Sequence, residues 1–77
     1  MWKENDNILT REFQCKDFSE AMAFVMRVAL ISEVNAHHPE IRINYNRVWL
    51  GLCTHDAGDV VTSKDHALAA EIDKISP

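Results

Sequence analysis

Seventy-seven residues, 47% hydrophobic and 26% charged, suffice for one small folded domain over residues 1–77, and exclude both a multidomain chain and a disordered tail. Eight Lys and Arg against twelve Asp and Glu leave a net charge of -4, which argues against a direct nucleic-acid binder with its basic stripe. No apolar run approaches the ~20 residues of a membrane span, and the acidic start Met1-Trp2-Lys3-Glu4-Asn5-Asp6 is unlike a signal peptide, so no membrane partner is expected and the cytoplasm is the expected location.

The chain opens on a short predicted strand at residues 2–4 and a polar turn, Asn5-Asp6-Asn7. From 8 to 15 the pattern alternates: Leu9, Phe13 and Cys15 share one side with Arg11 as the exception, and Thr10, Glu12 and Gln14 take the other. Period two over this length predicts a half-buried strand. Asp17, with Glu20 three residues on, has the spacing of a capping box that opens a helix over 18–35. Its apolar residues Phe18, Ala21, Met22, Val25, Val28, Ala29 and Ile31 recur at three- and four-residue steps. Phe24, Met26 and Leu30 widen the stripe beyond one face, which predicts cover on two sides, one from the sheet and one from a partner subunit. Pro39 and the preceding histidines end the helix.

Two strands follow, over 41–45 and 48–55, with Asn46-Arg47 as the expected turn. A loop, Asp56-Ala57-Gly58-Asp59, leads to Thr62, whose spacing to Asp65 is a second N-cap signal. The last helix is predicted over 63–75, with Leu68, Ile72 and Ile75 inward. The fold expected is α+β: a four-stranded antiparallel sheet with helices packed on one face, in the order β-β-α-β-β-α. Cys15 and Cys53 fit no zinc spacing, are too few for a disulfide scaffold, and are expected as buried free thiols.

Chemistry concentrates in Glu33, His37, His38, Pro39, Tyr45, Asn46, His55 and Asp65. Three histidines at element ends are well suited to proton exchange near neutral pH. The ordered set Glu33-Val34-Asn35-Ala36-His37-His38-Pro39, Tyr45-Asn46, Val48, Thr54-His55, Thr62 and Asp65 resembles the pterin-4a-carbinolamine dehydratases. Trp2, Arg11, Phe13, Asp17-Phe18, Ala21, Phe24 and Val28-Ala29 agree with the same family upstream. The resemblance implies removal of water from a 4a-hydroxytetrahydropterin to give the quinonoid dihydropterin, recycling the cofactor of aromatic amino acid hydroxylases, with a different pterin as the alternative substrate. It implies no metal and no redox cofactor. Carried over by position, His37 and His55 match the family's acid/base histidines and His38 its substrate-binding histidine. The family usually places a further helix before the position of Trp2, and a Gly-Gly or Ala-Gly pair is common in the loop after His55. Some members also serve as dimerisation partners of transcription factors through the long helix; as a rule the family is dimeric through sheet edges and tetrameric through that helix. A homodimer or homotetramer is therefore expected.

Several residues admit a plainer use. Glu33 lies four residues before His37, which suits a carboxylate that orients the imidazole or an ordinary exposed helix pair. Asp65 is a helix-capping carboxylate first, with a site role, holding His55 or its loop, second. Trp49 alternates onto the strand face of His55, as a wall beside a pterin or as an ordinary packing aromatic. Glu33, His37 and His55 also offer three metal ligands, but adjacent histidines rarely share one tetrahedral ion and no Cys or Asp lies at a recurring metal spacing, so no metal is expected. His66, early in the last helix, is expected in solvent.

Overall fold

A computed structural model describes all 77 residues. The strands are β1 (Lys3–Asn5), β2 (Ile8–Gln14), β3 (Glu40–Asn44) and β4 (Arg47–Leu52), and the helices are α1 (Phe18–Val34) and α2 (Ser63–Asp73). One 3-10 turn, His55–Ala57, lies between β4 and α2. All strand pairs are antiparallel, in the order β1-β2-β4-β3, so β2 and β4, the longer strands of the two hairpins, form the centre.

Register decides which side chains face the helices. Leu9 pairs with Leu52, Arg11 with Leu50 and Phe13 with Val48, and the apolar members of this set are buried. They join Ala21, Phe24 and Val28 of α1 and Leu68, Ala69 and Ile72 of α2 in one core. Phe13 and Phe24 meet with ring centroids 4.8 Å apart. Fully burying such side chains contributes about 1.5–3 kcal/mol each.

Arg11, the charged residue on the inward face, lays its guanidinium over the Phe13 ring at 4.3 Å. Its Nη1 reaches Asp73 Oδ1 at 2.7 Å, and the Trp2 indole N–H donates to the same oxygen at 2.8 Å. The stem is thus packed and the head paired at the end of α2, although the buried Nε has no partner.

The opposite sheet face carries Trp49 beside Gly51. A Cβ on Gly51 would come within 2.7 Å of the Trp49 ring, so glycine is what lets the indole lie flat across the strand. Arg42 covers the ring from β3 at 4.5 Å.

Several boundaries differ from the sequence reading. The β3–β4 turn is Tyr45-Asn46 rather than Asn46-Arg47, because Asn44 pairs with Arg47 and Tyr45 takes φ 52°. The fourth strand stops at Leu52, where the 3-10 turn breaks the alternation before His55. At the start of α1, Asp17 accepts the Glu20 N–H at 2.9 Å, but Glu20 returns to the Lys16 N–H at 2.7 Å, one residue before the reciprocal position of a capping box. Phe24, expected among the widening residues of α1, is buried in the core.

Candidate active site

The site is assembled at the end of α1, the end of β4 and the first turn of α2. α1 closes in a Schellman arrangement: His37 N–H donates to Ser32 C=O and Ala36 N–H to Glu33 C=O, each at 3.1 Å. Ala36 occupies the left-handed position, φ 50°, that glycine usually takes. This reversal, rather than the proline three residues later, ends the helix and turns His37 inward.

His37 Nε2 then lies 2.5 Å from Asp65 Oδ1, with the carboxylate fully buried and the imidazole 14% exposed. The second oxygen of Asp65 accepts the Thr62 N–H and the Thr54 hydroxyl, each at 2.8 Å. The first of these completes the capping box of α2. Burial pushes the Asp65 carboxyl up, but the hydrogen bonds from His37, Thr62 and Thr54 and the His37 charge outweigh it and hold the group below its ordinary value. An ionised carboxylate only accepts, so His37 Nε2 carries a hydrogen and Nδ1 is left for chemistry. The hydroxyls follow in order: Lys64 N–H donates to Thr62 Oγ1, Thr62 to Thr54 Oγ1, and Thr54 to Asp65.

The other two histidines are also tied to carboxylates. His38 Nε2 meets Glu33 Oε1 at 2.7 Å, and His55 Nδ1 meets Asp59 Oδ1 at 2.5 Å, both on the exposed surface. Each of the three imidazoles thus has one nitrogen oriented by an acid and the other unpaired. His37, His38 and His55 line one cleft of about 250 Å³ together with Ala36, Thr54, Asp56 and Lys64.

The sequence-predicted residues divide accordingly. His37, His38, His55 and Thr54 share the cleft, and Asp65 lies directly behind His37. The carboxylate on His37 is Asp65 rather than Glu33, because the helix ends before residue 37 and the four-residue spacing no longer applies; Glu33 serves His38 instead. Asp65 holds His37 and Thr54, while His55 is held by Asp59. Pro39 carries the chain from His38 into β3 without lining the cleft, and Trp49 lines clefts on the outer sheet face, with Thr10, Glu12 and Arg42 among its neighbours. His66 is exposed, 3.9 Å from Glu4. Cys15 is buried and Cys53 half-buried, both as free thiols. Lys64 and Asp59 are the residues that sequence reasoning passed over. A lysine in the first turn of α2 opposes the helix dipole, and that mismatch was the available signal.

Comparison with known proteins agrees along the whole chain. The family model for pterin 4 alpha carbinolamine dehydratase matches residues 1–75. A Chloroflexus aggregans protein, whose name assigns it provisionally as pterin-4-alpha-carbinolamine dehydratase, is 53% identical over 94% of this chain and 76% of its own. A relative from Thermomicrobium roseum with the same provisional name is 47% identical, over 97% of this chain and 80% of its own. Among solved structures, the transcriptional coactivator/pterin dehydratase from Brucella melitensis superposes with a TM-score of 0.91 at 38% identity, covering 99% of this chain and 82% of that one. A pterin dehydratase-like protein described as a RuBisCO assembly factor in the alpha-carboxysome shares the fold, with a TM-score of 0.76 at 23% identity over 96% of this chain and 84% of that one.

Proposed function

Because the chain belongs to the pterin 4 alpha carbinolamine dehydratase family, we propose that it dehydrates a 4a-hydroxytetrahydropterin to the quinonoid dihydropterin in the cytoplasm, recycling a tetrahydrobiopterin-type cofactor. The observation that carries this reading is the convergence of His37, His38 and His55 on one cleft, each with a ring nitrogen fixed by a carboxylate. In the reaction the C4a–OH bond breaks and the N5–H electron pair forms the C4a=N5 double bond. The hydroxyl leaves as water once it has received a proton. One histidine of the His37/His55 pair gives that proton and the other takes the proton from N5, while His38 holds the substrate. Asp65 positions His37, Glu33 positions His38, and Thr54 holds Asp65 in place. Each well-placed acid or base supplies on the order of 10² to 10⁴ in rate.

The test is the ultraviolet signal of chemically generated 4a-hydroxytetrahydropterin, which the purified protein should remove faster than the spontaneous reaction. Because one imidazole must be neutral while the other is protonated, kcat/KM should fall on both sides of an optimum. A folded sample with no acceleration would refute the enzymatic reading.

A second reading is favoured by the outer face of α1, where Phe18, Met22, Met26, Leu30 and Val34 form an exposed row at four-residue steps. That row suits a binding scaffold as well as self-association into a homodimer or homotetramer. A folded sample without dehydratase activity would favour the scaffold.

A further inference from the structure

The segment between β4 and α2 brings together three side chains of different ligand chemistry. Cys53 Sγ, a ring nitrogen of His55 and a carboxylate oxygen of Asp59 all lie within 4.8 Å of one another. The backbone sets this arrangement: Thr54 and Val60 form a bridge, Thr54 N–H donates to Val60 C=O at 2.8 Å, and Asp59 N–H donates to Thr54 C=O at 3.1 Å. Residues 53 and 59 each immediately precede a member of that bridge. A tetrahedral ion with bonds of about 2.0–2.3 Å keeps its ligand atoms roughly 3.3–3.7 Å apart, a spacing that small rotations of the three side chains reach.

We propose that Cys53, His55 and Asp59 bind a thiophilic divalent cation of the Zn²⁺ class, and that its binding silences His55. Thiolate, imidazole and carboxylate together suit Zn²⁺, whereas Mg²⁺ and Ca²⁺ seek all-oxygen sets. Burial, together with the nearby charges of Asp59, Asp65 and Glu40, pushes the Cys53 thiol up, so an ion must displace its proton on binding. His55 and Asp59 are exposed, so solvent supplies the fourth ligand.

The consequence for His55 follows from how its two ring nitrogens are used. Without the ion, Nδ1–H donates to Asp59 and Nε2 is the acceptor. An ion on Nδ1 occupies that lone pair and the ring proton resides on Nε2, so the ring can no longer become an imidazolium and His55 can serve neither as the base nor as the acid of the pair. The thiol proton is released to solvent as the ion binds. This silencing rests on the acid/base role proposed above for His55, whereas the binding site does not.

The binding experiment therefore reads the metal itself. Metal-free protein is titrated with Zn²⁺ against a chromogenic chelator, and with Co²⁺ while the visible and near-ultraviolet spectrum is followed. One equivalent should bind, and Co²⁺ should give a thiolate-to-metal charge-transfer band. Cys53→Ser and Asp59→Asn should each weaken binding by about 100-fold or more, the upper end of what even an outer-shell change costs. His66→Ala should leave it unchanged. Wild-type affinity in Cys53→Ser, or bound Co²⁺ without the thiolate band, overturns the site. Should Cys53→Ser fail to fold, wild-type affinity in Asp59→Asn overturns it equally. Turnover is the second measurement: saturating Zn²⁺ should lower it at least ~10-fold in the wild type, reversibly with chelator, and leave Cys53→Ser unaffected. Binding with undiminished turnover overturns the silencing. If the metal-free protein has no dehydratase activity at all, the proposed function fails while the titration still decides the site.

Discussion

Asp65 concentrates three tasks in one buried carboxylate: it caps α2, receives the Thr54 hydroxyl and orients His37. Replacing it by Ala leaves those donors without an acceptor and should cost about 3–5 kcal/mol, measurable by denaturant unfolding. Asp65→Asn tests its electrostatic part. The folded-state pKa lies below the ordinary carboxylate value of 3.8, so the stabilisation is fully present above that pH and is lost as the pH falls through the folded-state value. The stability gap between wild type and Asp65→Asn should therefore close in strong acid, as the wild-type carboxylate protonates; a gap that persists undiminished there contradicts the assignment. For the histidines, His37→Ala and His55→Ala should each lower kcat by about 10² or less, since the reaction also runs unassisted, and His38→Ala should act mainly on KM. If His38→Ala instead abolished turnover with KM unchanged, the assigned roles would have to be exchanged.

At the level of the element, the end of α1 is where local structure is converted into a site. The Schellman closure places a Cβ-bearing residue, Ala36, in the left-handed region, at a cost of roughly 1–2 kcal/mol that glycine avoids. Ala36→Gly should therefore raise stability by a few tenths to about 1 kcal/mol, with part of the gain offset by unfolded-state entropy. Thermal unfolding reads this directly, and a clear destabilisation would mean that the Ala36 methyl packs more tightly than its exposed position indicates. The N-terminus of the same helix makes a contrast. Asp17 satisfies the Glu20 N–H, so Asp17→Ala should cost about 1 kcal/mol.

For the whole molecule, the exposed row on α1 is the main unresolved energetic term. Met26, Leu30 and Val34 are 57%, 64% and 86% exposed in the single chain. Fully burying side chains of this kind contributes about 1.5–3 kcal/mol each, against a typical stability of ~5–15 kcal/mol. Self-association through this face should make the melting temperature rise with protein concentration, and Leu30→Glu should lower the sedimentation coefficient at micromolar concentration. A wild-type chain that sediments as a stable monomer would refute the assembly.

Element order, the inward faces of the strands and the N-cap residues of both helices were readable from sequence, because alternation, four-residue spacing and capping residues act over a few positions. Leu9 and Phe13 announced the inner face of β2, and Thr62 with Asp65 announced the start of α2. The resemblance to a family rested on the ordered motif around His37, His38 and His55, and the family model matches over residues 1–75. What remained hidden depends on groups distant in the chain. Glu33 looked like the partner of His37 only while the helix was assumed to continue; the left-handed Ala36 redirects the ring to Asp65, 28 residues away. Trp49 and His55 looked like neighbours only while β4 was assumed to keep its alternation, which the 3-10 turn after Thr54 interrupts. Local periodicity sets which face of an element is apolar, but the points where periodicity stops decide which side chains meet, and those points were settled by backbone reversals and tertiary pairing.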